Sequence, residues 1–87
     1  MTKAKLAVAL QYDGYDTPKV TAKGTGEIAE RIIQAAHEHN IPLEDDPALA
    51  GLLYQVELGD VIPESLYQAV AELLAFIYLV RDEVVTD

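Results

Sequence analysis

The stretch Leu6-Ala7-Val8-Ala9-Leu10-Gln11-Tyr12-Asp13 decides the fold. A short, nearly continuous apolar run of this kind reads as a strand of a small α/β domain and is a candidate for burial on both sides. The run ends at Gln11 and Asp13, well short of the core of a signal peptide or a membrane span. Ahead of it stand only Thr2-Lys3-Ala4-Lys5, so the expectation is a single module over residues 1–87 with no anchor and no second domain.

Working outward, Asp13-Gly14-Tyr15-Asp16-Thr17-Pro18 carries the Gly, Asp and Pro of an exposed turn. Lys19-Val20-Thr21-Ala22-Lys23 alternates polar and apolar residues as a second strand would, and Gly24-Thr25-Gly26 breaks it. From Glu27 to about His39, Ile28, Ile32, Ile33, Ala35 and Ala36 recur at helical spacing, with Thr25 as the N-cap and Asn40 as a left-handed stop. Ile41-Pro42-Leu43-Glu44 is a short third strand whose proline suits an edge or a first position.

Asp46-Pro47 starts a second helix: the carboxylate accepts from a free N–H, and proline at the first helical position loses no hydrogen bond. That helix runs to about Val56, and Gly59 closes it. The last helix opens at Ile62-Pro63-Glu64 and reaches Arg81, with Leu66, Val70, Leu73, Leu74, Ile77 and Tyr78 on one broad face. Ala69, Ala71, Ala75 and Phe76 make much of its remaining circumference apolar, so part of it is expected to meet a partner. The fold class is α/β, a small open sheet of about three strands with three helices on it, in the order β-β-α-β-α-α, with a parallel crossover from Lys19 to Glu44.

The 87 residues suffice for one core that buries roughly 60–65% of the surface of the unfolded chain. There is no cysteine, which excludes disulfides and thiolate metal sites and fits a reducing, cytoplasmic setting. Fifteen acids against six bases give a formal charge of −9, which repels nucleic acid and anionic lipid. The balance is uneven: Lys3, Lys5, Lys19 and Lys23 lie in the first quarter, while Glu44-Asp45-Asp46 and Asp82-Glu83 mark the later parts.

Reactive chemistry is sparse. Gly24-Thr25-Gly26 superficially resembles a phosphate-binding turn, but it lacks the third glycine and the Lys-Ser/Thr of stronger motifs, and Glu27 puts negative charge where a phosphate would sit. His37 and His39 are two apart on a helix and point in different directions, so they do not share a metal. Glu44-Asp45-Asp46 is better explained by a strand end and a helix cap than by a cation. Ser65 is the only serine, in the first turn of a helix. No enzyme activity, cofactor or metal is expected.

Taken together, Ala7-Val8-Ala9-Leu10-Gln11-Tyr12-Asp13, Pro18-Lys19-Val20 with Ala22-Lys23-Gly24, and the stretch from Ile62-Pro63-Glu64-Ser65 to Ala75-Phe76 resemble one family in order along nearly the whole chain. It is the cytoplasmic C-terminal domain of the type III secretion export-apparatus switch proteins, the FlhB family and its injectisome relatives. In that family an Asn-Pro-Thr-His loop precedes the Ala-Val-Ala-Leu strand, and the chain cleaves itself between Asn and Pro through a succinimide. Here the matching positions are Thr2, Lys3, Ala4 and Lys5, so no self-cleavage is expected. The family's membrane domain and the strand before the cleavage loop have no counterpart here, hence the expectation of three strands.

The resemblance implies a free-standing, non-catalytic module of flagellar or type III export. Its implied partners are the export-gate membrane proteins, the export substrates and the length-control protein, with a location in the cytoplasm, peripheral to the gate and without membrane insertion. The positions aligning with the family's substrate-binding patch are Thr17, Pro18, Ala71 and Leu74. Pro18 is expected to be accessible, whereas burial competes with exposure for Ala71 and Leu74. The family's Pro-Leu-Ala-Arg appears here as Ala48-Leu49-Ala50-Gly51, so its arginine is gone. Two other readings stand beside this one: a small-ligand or nucleotide-binding domain using Gly24-Thr25-Gly26, and a structural subunit whose last helix pairs with its own copy.

Overall fold

The computed structural model describes residues 5–12, 17–75 and 82–86. Along the chain run β1 (Leu6–Gln11), β2 (Lys19–Thr25), α1 (Gly26–Glu38), β3 (Leu43–Asp45), α2 (Pro47–Tyr54), a 3₁₀ turn (Glu64–Leu66), α3 (Tyr67–Ala75) and β4 (Asp82–Thr86). The strands form one sheet in the order β2-β1-β4-β3. β1 pairs antiparallel with β2 and with β4, and β4 pairs parallel with β3. β2 and β3 therefore run parallel, as the crossover requires, but at opposite edges of the sheet.

The sheet has four strands, not three, and the order of elements gains a final strand. Asp82–Thr86 follows an apolar run that reads as one long helix, and five residues with two adjacent valines show no alternation to betray a strand. Its place between β1 and β3 explains the pair: Val84 and Val85 are both buried, one toward each face. Phe76, Ile77, Tyr78 and Arg81, the expected end of the last helix, lie outside the described residues. The 3₁₀ turn stands where that helix was expected to begin, after Pro63, and α3 starts at Tyr67.

β1 is covered on both sides, as its sequence demands. Val8 and Leu10 join Val20, Leu49, Ala50, Leu53, Ile62, Leu66, Val70 and Val85 in one core beneath α2, the 3₁₀ turn and α3. Ala7 meets Ala29, Ala36 and Val84 in a second core beneath α1. The result is a three-layer sandwich of helix, sheet and helices.

β2 departs from plain alternation. The register slips between Ala9 and Leu10, so that Leu10 pairs with Val20 but Ala9 pairs with Ala22, leaving Thr21 as the extra residue of a β-bulge. Val20 then faces α2 and α3 together with Lys23, three residues on, while Gly24 pairs with Ala7 and meets α1. Gly24-Thr25 does not break the strand but completes it.

The helix ends follow the expected chemistry. Asn40 takes φ 56°, Ile41 N–H donates to the Ala36 carbonyl at 2.8 Å and Asn40 N–H to the His37 carbonyl at 3.3 Å, a Schellman closure of α1. Thr25 occupies the N-cap of α1 without a capping bond from its side chain. The Asp46 carboxylate accepts from Leu49 N–H at 3.1 Å, and Pro47 opens α2.

Candidate interaction surface

The free edge of β2 is covered by the segment between α2 and the 3₁₀ turn. Val20 N–H donates to the Asp60 carbonyl at 2.9 Å, Gly59 N–H to the Val20 carbonyl at 2.7 Å and Ile62 N–H to the Pro18 carbonyl at 2.9 Å, with Lys19 bridged to Val61. These bonds satisfy backbone groups that an open strand edge would expose. Gly59, at φ 90°, allows the chain to turn into this position.

Lys23 fixes the same segment from the other side. The bulge aims its ammonium at the end of α2, where Nζ donates to the carbonyls of Tyr54 at 2.9 Å and Val56 at 2.8 Å. It also lies 5.1 Å from the centre of the Tyr54 ring. A cation on the last carbonyls of a helix satisfies acceptors that have no partner within the helix.

Between the end of α2 and the 3₁₀ turn lies an open pocket of about 370 Å³, walled by Leu52, Val56, Val61, Pro63 and Leu66, with Gln55, Glu57, Asp60 and Ser65 at its polar margins. Leu52 and Val61 are half exposed there. The sequence carries a signal for this pocket in α2: the eight residues Pro47–Tyr54 hold no charge, and once Leu49, Ala50 and Leu53 turn inward, Leu52 is left outside.

Of the four residues expected in the substrate patch, Pro18 is buried, contrary to the expected accessibility. Its carbonyl holds Ile62, and Ile62 sits in the core, which draws the end of the loop inward. Thr17 is half-buried and Ala71 is exposed on α3. Leu74 follows one turn later in the same helix. The hydrogen bond from Ile62 to Pro18 therefore ties the loop after β1 to the approach to α3, on the side of the sheet that α3 occupies.

Gly24-Thr25-Gly26 has a packing role. A Cβ on Gly24 would stand 2.2 Å from Ile28 Cγ2, so the glycine permits close approach of α1 to β2. Gly26 N–H is already spent on the Lys5 carbonyl at 3.0 Å. His37 and His39 are both exposed near the end of α1. Among the described residues no three His, Asp or Glu side chains gather as metal ligands, and no helix is long and apolar enough to cross a membrane.

The described residues thus build a small three-layer α/β domain with an apolar, partly open flank. The chain belongs to the FlhB HrpN YscU SpaS family, whose pattern matches residues 4–77. It is 39% identical over 85 residues to protein YlqH of Bacillus subtilis, covering 95% of this chain and 91% of that one. It is also 49% identical over 78 residues to the flagellar biosynthetic protein FlhB of Yersinia enterocolitica, covering 86% of this chain and 20% of that one. The chain thus spans about a fifth of the length of its FlhB relatives. The crystal structure of the cytoplasmic domain of FlhB from Shewanella putrefaciens matches with a TM-score of 0.80 at 39% identity, over 88% of this chain and 67% of that one. The family resemblance read from the three sequence blocks is thereby established, and with it a place among flagellar and type III export proteins.

Proposed function

We propose that this chain is a non-catalytic interaction module of flagellar or type III protein export, which binds export substrates or the length-control protein and stands in for the C-terminal cytoplasmic part of the export switch protein at the gate. The observation that carries the reading is the match in fold and sequence to the FlhB cytoplasmic domain. The residues that would meet cargo are Thr17, Ala71 and Leu74; Ala71 is exposed and Thr17 half-buried, while Pro18, being buried, would act only by shaping the backbone beside Thr17. The modest size of such a patch, at roughly 25 cal/mol per Å² of apolar area, sets against it the entropy of ordering a flexible cargo segment. Weak, reversible capture follows, which suits cargo that must be passed on.

Self-cleavage has no substrate here. The only asparagine is Asn40, followed by Ile41 and held at the end of α1. The purified protein is expected to keep its intact mass on long incubation.

The test of the function is complementation. In cells whose export switch protein ends before its C-terminal cytoplasmic part, expression of this chain should restore secretion of flagellar export substrates into the medium. Normal levels of the chain with no secretion would reject the reading.

A further inference from the structure

We propose that the pocket between the end of α2 and the 3₁₀ turn is a second binding site, one that takes a polypeptide segment presenting an aliphatic side chain flanked by lysine or arginine. Five large hydrophobic side chains are exposed among the described residues, and two of them, Leu52 and Val61, are in the wall of this pocket. Leu58 and Tyr67 are chain neighbours of its lining residues Glu57 and Leu66. Apolar exposure concentrated in one place marks an interaction surface, whereas single scattered side chains do not.

The rim supplies the second half of the specificity. Glu57 and Asp60 border the pocket, and Glu64 stands between its lining residues Pro63 and Ser65; all three are exposed. Against these three carboxylates stands Lys19, set across from Val61. The other nearby ammonium, Lys23, is committed to the carbonyls of Tyr54 and Val56. An acid-rimmed apolar recess favours an apolar anchor between cations, since complementary charge steers the encounter and rejects like-charged partners. A second copy of this chain is disfavoured because it would bring the same acids, on a chain of net charge −9, against this rim. The pocket is open rather than enclosing, which suits a segment that continues past it on both sides.

Neither Thr17 nor Ala71 lines this pocket, and its test uses purified protein without the export machinery. Amide resonances of the ¹⁵N-labelled chain are followed while a capped Lys-Lys-Leu-Leu-Lys-Lys peptide is added. Saturable shifts are expected at Leu52, Val61 and Ser65. Replacing both leucines of the peptide by serine, or its lysines by glutamate, should weaken binding at least tenfold. Leu52→Ser and Val61→Ser should each weaken it at least fivefold with an unchanged melting point. Absence of saturable shifts, shifts centred on Ala71, or equal binding of the glutamate or serine peptide would overturn the proposal. So would a dimer in sedimentation that Leu52→Ser dissolves, since it would give the pocket to a second copy. The peptide comparisons on the unaltered protein stand even if a variant fails to fold.

Discussion

The two faces of the sheet are built on different principles. Under α1 the buried contacts are made by Ala7, Ala29, Ala36 and Val84, ringed by the partly buried Ile32, Ile33, Ile41 and Leu43, with Gly24 letting the helix come close enough that a single added carbon would collide with Ile28. Under α2 and α3 the core is made of Leu10, Leu53, Ile62, Val70 and other large side chains, and its margin opens into the pocket beside Leu52 and Val61. The first face has mostly small residues at its centre, at short range, and larger aliphatics only around them. The second gains its stability from bulk and leaves apolar surface over at its edge. Both proposed contact surfaces, the one at Ala71 and the acid-rimmed pocket, lie on elements of the second face, so the proposals assign binding to that face alone.

That contrast breaks most sharply at Leu53, which is fully buried in the bulky core. Leu53→Ala should cost about 2–5 kcal/mol, read by urea or thermal unfolding, because the transfer energy is lost and a cavity remains. The closed face should fail in the opposite sense, through overpacking. Gly24→Ala should cost about 1–3 kcal/mol, and Ile28→Ala in the same chain should restore part of it, since it removes Cγ2, the nearest atom in the way, and leaves the Ile28 Cβ clash in place. A purely additive double mutant would show that close approach is not the reason for the glycine.

Smaller effects sharpen the picture at α2. Asp46→Ala should cost about 1 kcal/mol in thermal unfolding, because it removes the acceptor of Leu49 N–H. Gly51→Ala should stabilise by about 0.5–1 kcal/mol, since nothing lies within 4 Å of the added methyl. Gly51 is the position that the family resemblance aligns with an arginine, and the open space there means that a side chain would fit.

Much of this architecture is legible in the residues because it rests on local chemistry. The two-sided burial of β1, the left-handed Asn40, the Asp46-Pro47 start of α2 and the spacing of α1 each follow from a few neighbouring residues. What escapes the sequence is set by distant partners. Val84-Val85 reads as nothing in particular until β1 and β3 are known to flank it. The bulge at Thr21 reverses which side of β2 each residue faces, and only then does Lys23 reach the end of α2. Pro18 is drawn inward by Ile62, more than forty residues away, which its turn-like surroundings do not reveal. The resemblance proposes Thr17 and Ala71 as contact residues, and the structure adds only their degree of exposure, whereas the pocket arises from Leu52 of α2 and from a segment, Gln55 to Leu66, with no regular pattern to announce it.

The central claim is that this chain works by contact through its α3 surface. The most direct measurement is the dissociation constant of a purified flagellar export substrate for the unaltered chain and for Ala71→Asp, with melting points recorded for both. The account predicts at least a tenfold loss of affinity at an unchanged melting point, because Ala71 is exposed and its replacement disturbs only the surface. Equal affinity of a folded Ala71→Asp protein would contradict it.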